Sequence, residues 1–422
     1  MSSSVSLALL GAGGRPSFSR LRGVAICFCS AIAAAVSGCE DGDRPPDQTV
    51  RDSAGLRIST SLAPMTALRL DPDSPPTYAI DSDFGVPDHF LDRVVAAVWL
   101  DDGTLVIANG GSSELYLFDD ELRFIRSFGA DGDGPGEFRR IAGLFACDAG
   151  QVAVASSNRL TVLDLDEEAR VVETIPIAGG LSDGFATPVG VSSDCSAALL
   201  SAGGGQRPGR DEVVGEIDQT VFWSGISTNR RDTVGTFPLS SALAWRLGGQ
   251  ASWARQPFAP RAVVMSSSTR VLFARGIHRE VTILDAEGTP TDILRWGWER
   301  SELTDSDWEH FRATYSDFLE RNPEERPLVP PFRFYPRPDF KPAFSEAMVT
   351  SDGTMWFQVY GAYGPFDVAD SGVWEALRPD GSWLYSLSLP PSIRLLRVRR
   401  NELLGLVRDE LGRESIGLWS LD

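Results

Sequence analysis

Four stretches of the sequence repeat one plan: a short β-rich run, a polar turn, an alternating run ending in Asp or an equivalent, then another turn and run. They are "TLVIANGGSSELYLFDDELRFIRSF" from Thr104, "QVAVASSNRLTVLDLDEEARVVETI" from Gln151, "RVLFARGIHREVTILDAEGTPTDIL" from Arg270, and an interrupted copy from Thr354, "TMWFQVYGAYGPFDVADSGVWEALRPDGSWLYSL". A further apolar run and tight turn precede each: "VVAAVWLDDG", "IAGLFACDAG", "AVVMSSS" and "EAMVTSDG". Each unit therefore offers four strands joined by turns of the Asp-Gly kind.

Two weaker units complete the series, one through "TPVGVSSDCSAALLSAG", "TVFWSG" and "RDTVGTF", the other "IRLLRVRRNELLGLVRD" with "ESIGLWSLD". The first turns of the units fall near Asp102, Ala149, Asp194, Ser267, Asp352 and Arg400. A period of about 45 residues suits a four-stranded blade, and the longer intervals hold inserts. The sequence predicts an all-β fold: a six-bladed β-propeller over 55–422. The last unit shows three strands, so an N-terminal segment, "AGLRIST" or "TALRL", is expected to supply the fourth and hide an open sheet edge.

Two inserts interrupt the repeats. Residues 301–342 open with "SELTDSDWEHFRATYSDFLERNPEE", where Trp308, Phe311, Tyr315, Phe318 and Leu319 recur at helical spacing behind a cap at Thr304 or Ser301. That pattern predicts one helix near 301–322, packed on the propeller, followed by the Pro/aromatic arm "RPLVPPFRFYPRPDFKP". A second arm is expected at "SSALAWRLGGQASWARQPFAPR".

The N-terminal 38 residues stand apart. Arg15, Arg20 and Arg22 precede the apolar run "VAICFCSAIAAAV", which has the length of a secretory h-region. It ends in "VSGC", which resembles the lipobox of bacterial lipoprotein signals and implies cleavage before Cys39 and acylation of that cysteine. An ordinary signal peptide or a short membrane anchor is the alternative. Polar residues follow, and 39–54 reads as a tether. The expected location is the bacterial cell envelope, with the membrane contacted through the lipid. Export leaves Cys147 and Cys195 either to pair as a disulfide or to sit as two small buried thiols.

Net charge is −19 over 422 residues, which argues against capture of nucleic acid. Lys341 is the only lysine, so positive charge rests on arginine, the residue of fixed, hydrogen-bonded contacts. The loop "GADGDGPGEF" (Gly129–Phe138) lies between the last strand of one unit and the first of the next. It lacks the Gly-Lys-Ser/Thr of a phosphate loop. Read as a calcium loop from Asp131, it puts Pro135 and Ala142 where ligands are needed. It is expected to turn a blade-to-blade corner, using glycine for positive φ. "GLSDG" at Gly180–Gly184 has nucleophile-elbow spacing, but Ser182 sits in a crossover, not between strand and helix. No catalytic residue and no metal site is therefore assigned, and no cofactor is expected, with calcium the one ion considered.

The string "GADGDGPGEF" before a strand is similar to the blade-joining signature of NHL-type propellers. "TVRDSAGLRIS" and "LTDSDWEHF…PAFSEAMVTSDGTMWFQV" resemble segments of bacterial six-bladed β-propeller lipoproteins, NHL-like or TolB-like, a group for which no general activity is established. The resemblance spans nearly all of the chain after the signal and implies architecture. Only one crossover keeps the full glycine signature and the third unit is degenerate, which leaves blade boundaries open over 177–260.

Strand entrances offer His89, Arg93, Arg139, Arg140, Arg261 and Lys341, with Asp88, Asp92 and Glu346 among them. Positive groups dominate there, a set suited to a carboxylate or phosphate. One reading makes a channel mouth a basic pocket for a small anionic ligand or acidic peptide. The other has each arginine tying down its own crossover loop. The function expected is a monomeric binding or interaction module with a small anionic ligand or an envelope protein as partner. The alternative is a metal-dependent hydrolase or lyase of the lactonase-like kind.

Overall fold

The computed structural model describes residues 47–421 apart from 72, 158, 167, 178–185, 204–213, 229, 248–249, 269, 298, 327–331 and 362–371. The signal segment, Cys39, Ser182 and the Pro327 end of the arm lie outside the described residues. Among the described residues, no helix is long and apolar enough to cross a membrane.

The strands form six separate sheets in chain order, the blades of a propeller. Blade 1 spans Val94–Trp99 to Phe124–Phe128 and blade 2 spans Ile141–Ala146 to Arg170–Pro176. Blade 3 spans Ala186–Val191 to Gln250–Arg255, and blade 4 spans Val263–Ser267 to Pro290–Trp296. Blade 5 spans Phe344–Val349 to Trp383–Ser388, and blade 6 runs from Ile393–Arg399 to Glu414–Ser420.

Why these sheets close a ring follows from the period-2 pleat. In Leu105–Asn109, Leu105 and Ile107 enter the core shared with blade 6, whereas Val106 and Ala108 enter the core shared with blade 2. Both faces of a blade are buried, so its inner strands read as unbroken apolar runs. The same division recurs at every seam: one cluster lies between each neighbouring pair of blades, through to the pair of blades 6 and 1.

The N-terminal chain closes the ring by a different strand from those expected. Tyr78–Ile80 pairs antiparallel with Glu414–Ser420 and is the fourth strand of blade 6. Leu56–Ser61, from "AGLRIST", runs parallel along the outer strand of blade 4, and Thr66–Arg69, from "TALRL", does the same on blade 5. Gln48–Ser53, within the stretch read as tether, pairs with Leu56–Ser61 and makes blade 4 six-stranded. A single segment passing along the rim thus adds in turn to the outer edges of blades 4, 5 and 6 and pairs their open backbone groups. Blade 3 is widened differently. The region expected as a second arm is a hairpin in which Arg231–Leu247 pairs with Gln250–Arg255, so blades of four, five and six strands coexist.

"GADGDGPGEF" is the crossover from blade 1 to blade 2. Its carboxylates hold the corner together: Gly134 N–H donates to Glu137 Oε2 at 2.7 Å and Arg139 pairs with Asp133 at 2.8 Å. Arg159 donates to the carbonyls of Asp133, Gly132 and Glu137. Gly129 has φ +107°, and an added Cβ would stand 2.8 Å from the Phe138 ring, which is wholly buried. Gly129→Ala is expected to cost about 1–3 kcal/mol from the strained backbone alone, read as a lowered unfolding midpoint; an unchanged midpoint would refute the assigned corner.

The insert leaves and re-enters through a short stem. Leu303 N–H donates to Asp339 O and Lys341 N–H to Ser301 O, with Glu302 bridging Phe340. Helix Asp305–Arg321 starts at Thr304, whose hydroxyl accepts from Asp307 N–H while Asp307 reciprocates in a capping box. Phe311 and Tyr315 are buried, and they pack with Trp308, Leu319, Phe332 and Tyr335 against Phe258 and Tyr360 of the propeller. The aromatic stripe is thus a packing face, and the described part of the arm folds back onto the helix.

Candidate functional site

Beside the stem lies a cleft of about 800 Å³, bounded by the Ile277–Glu280 turn of blade 4, the chain from Arg295 to Glu302, and Phe340–Ala343. Four cations line it, Arg279, Arg295, Arg300 and Lys341, against Glu280, Glu299 and Glu302.

Each cation is held differently. Arg279 Nε reaches Glu375 Oε2 at 3.0 Å, and its Nη1 donates to Glu299 O at 3.3 Å. Glu375 sits on the third strand of blade 5, is 4% exposed, and also accepts from Trp296 Nε1 at 2.6 Å. Burial pushes its carboxyl above the ordinary value; the Arg279 charge and the two hydrogen bonds act in the opposite sense. Arg295 Nε pairs with Glu280 at 2.6 Å across neighbouring strands. Arg300 lies over Phe340, its guanidinium carbon 3.9 Å from the ring centroid. Lys341 Nζ meets Asp307 at 3.1 Å, tying the cleft wall to the helix start. Burial alone would raise the Asp307 carboxyl, but the Thr304 hydroxyl and N–H and Lys341 hold it below its ordinary value.

These contacts use Nε and Nη1 of Arg279 and Nε of Arg295, leaving fork donors of both with capacity for another acceptor. Geometrically, the cleft can take up carboxylate or phosphate oxygens along a partly neutralised arginine wall.

Of the six residues singled out from sequence, Lys341 alone lines this cleft. His89 packs among Phe84, Tyr116 and Phe124 of blade 1, its Nε2 3.1 Å from Ser127 Oγ. Arg93 pairs with Asp92 and donates to Gly111 O; Arg139 pairs with Asp133. Arg140 is exposed with φ 55°, and Ser157 N–H donates to its carbonyl. Arg261 is half-buried, its backbone packed against Gly276. These five residues precede the first strands of blades 1, 2 and 4.

Sequence reasoning missed Arg279, Arg295, Arg300 and Glu375. A signal existed for the last: "VWEAL" puts a carboxylate in a strand otherwise fit for burial. It also missed the arginines at the ring closure. Arg394 donates to Val94 O at 2.7 Å and Arg397 to Ala97 O at 2.9 Å, linking the inner strands of blades 6 and 1. Burial pushes the Arg397 guanidinium below its ordinary value. Glu414 accepts from Val94 N–H at 2.7 Å in the same seam.

Cys147 and Cys195 form a disulfide with Cα atoms 5.6 Å apart, joining blade 2 to blade 3. Among the described residues, no group of three or more His, Cys, Asp or Glu side chains is gathered as a metal site would need.

No family model matches the sequence, and no curated protein matches it. Among solved structures, a protein of Bacteroides fragilis is 9% identical over 84% of this chain and 99% of its own, with a TM-score of 0.43. A member of the DUF4221 family from Bacteroides vulgatus is 10% identical over 81% of this chain and 95% of its own, at 0.47. The calcium-binding protein regucalcin of Agrobacterium tumefaciens is 10% identical over 83% of this chain and 95% of its own, at 0.37.

Proposed function

We propose that this protein is an exported, lipid-anchored propeller of the cell envelope that acts as a binding module. Its cleft beside the insert receives an anionic ligand, a carboxylate-bearing small molecule or an acidic peptide segment. The carrying observation is the arginine wall, with Arg279 pinned by a buried carboxylate and aimed from the propeller side. Anchoring is supported by the "VSGC" motif at Cys39. A long-range field does not attract such a ligand to a chain of net charge −19, so recognition rests on local, preorganised donors.

Calorimetric titration with a hexaglutamate peptide and with citrate tests this. Arg295→Ala and Arg300→Ala are each expected to weaken binding about tenfold, the loss of one charge-assisted contact worth about 1.4 kcal/mol. Arg93→Ala, on blade 1, is expected to change nothing. Loss confined to Arg140→Ala and Arg261→Ala would move the site to the channel mouth, and no binding of either probe would overturn the reading. The metal-dependent hydrolase or lyase alternative requires stoichiometric metal in the purified protein, which elemental analysis would detect.

A further inference from the structure

The rim segment carries an apolar tip that no packing explains. Between Leu56–Ser61 and Thr66–Arg69 the chain reads Leu62-Ala63-Pro64-Met65, four residues without charge. Leu62 is 58% exposed and Met65 is 57% exposed. The strands on either side are anchored: Gly297 N–H donates to Ser61 O at 3.0 Å and Met65 N–H to Trp383 O at 2.9 Å. The backbone of this tip is therefore fixed on blades 4 and 5 while its side chains face outward.

Its neighbour identifies the occupant. Leu62 N–H donates to Asp47 O at 3.2 Å, so the tip lies where the described chain begins. From Cys39 to Asp47, at about 3.5 Å per extended residue, the connection reaches no more than about 28 Å. An acyl group on Cys39 thus keeps this part of the rim within about 28 Å of the bilayer.

We propose that Leu62 and Met65 insert into the interfacial layer of the anchoring membrane and fix the propeller's orientation on it. This rests on acylation of Cys39. Two apolar side chains contribute too little to bind alone, but a tether of this length makes their insertion intramolecular, at high effective concentration. Because the contact is apolar and the chain strongly acidic, it needs no anionic lipid. The same orientation sets the cleft, which includes Gly297 next to Ser61, close to the membrane.

The test uses the full-length protein with its anchor, reconstituted in phosphatidylcholine vesicles carrying a nitroxide on the acyl chain. An environment-sensitive dye is attached to the thiol of Leu62→Cys, and in a second sample to that of Leu411→Cys, whose parent residue is 80% exposed on blade 6. Mass spectrometry of the Cys39 peptide is run on both. With Cys39 acylated, emission at position 62 is expected to shift to the blue and lose most of its intensity, while position 411 stays unquenched. Equal quenching at both positions, or none at 62, on acylated protein would refute the insertion. An unmodified Cys39 would refute the anchor and the insertion with it.

Discussion

Replacing Glu375 with alanine is expected to lower the unfolding free energy by about 3–5 kcal/mol, the largest effect of any single substitution considered. The side chain is buried between blades 4 and 5 and is shared by two donors, Arg279 and Trp296. Alanine leaves a guanidinium and an indole N–H without their acceptor inside the seam. Glu375→Gln keeps an acceptor of the same shape and is expected to cost less. Chemical denaturation of both variants checks the order; an alanine variant no worse than the glutamine one would refute the buried tie.

The same residue fixes the sign of a pH effect. Its carboxyl titrates above the ordinary 4.5 in the folded protein, because burial disfavours the charge. The stability this contributes is fully present below about 4.5 and is lost as pH rises through the folded value. Wild type should therefore gain on Glu375→Gln as the pH falls from neutral towards 4.5, after which the gap stays constant. Asp164 and Asp409 behave oppositely. Hydrogen bonds from Arg170 and Arg413 hold them below 3.8, so their contribution is present above that value and is lost in stronger acid. Both act equally in the two proteins and cancel in the comparison.

The second large effect concerns the disulfide. Cys147 and Cys195 are 48 residues apart, and opening a loop of that length is expected to cost about 4 kcal/mol. It acts at one seam, where Cys147 follows the inner strand of blade 2 and Cys195 lies in the turn after the inner strand of blade 3. The Cys147→Ala/Cys195→Ala double variant should show that loss and be indifferent to reductant, whereas wild type should drop to the same level when reduced. A wild-type midpoint unmoved by reductant would show that the bond contributes nothing.

Much of the ring was legible because it is local. Strand, turn and crossover repeat within one period, and Asp-Gly turns and apolar runs such as "LVIAN" declare themselves residue by residue. The helix was equally open to reading, since Thr304 and the stripe from Trp308 to Leu319 lie within a few turns of one another. "GADGDGPGEF" was placed correctly for the same reason: its glycines and carboxylates satisfy one another within ten residues, with Arg159 close by. The cleft was not legible, because its parts are distant in sequence: Arg279 meets Glu375 across 96 residues and Trp296 meets Glu375 across 79. Which arginine faces a cleft is likewise decided by distant neighbours, whereas one that serves its own loop can pair with the adjacent residue. Arg93 and Arg300 look alike in sequence, yet one pairs with Asp92 and the other covers Phe340.

By itself the sequence determined the blade count, the helix and the first crossover corner, because periodicity, capping and turn chemistry act over short spans. Tertiary structure decided which N-terminal strand completes blade 6, that three others widen blades 4 and 5, and where the cations gather. All three outer edges offer the same unpaired backbone groups, so pattern alone cannot choose among them; the path of the segment around the rim does.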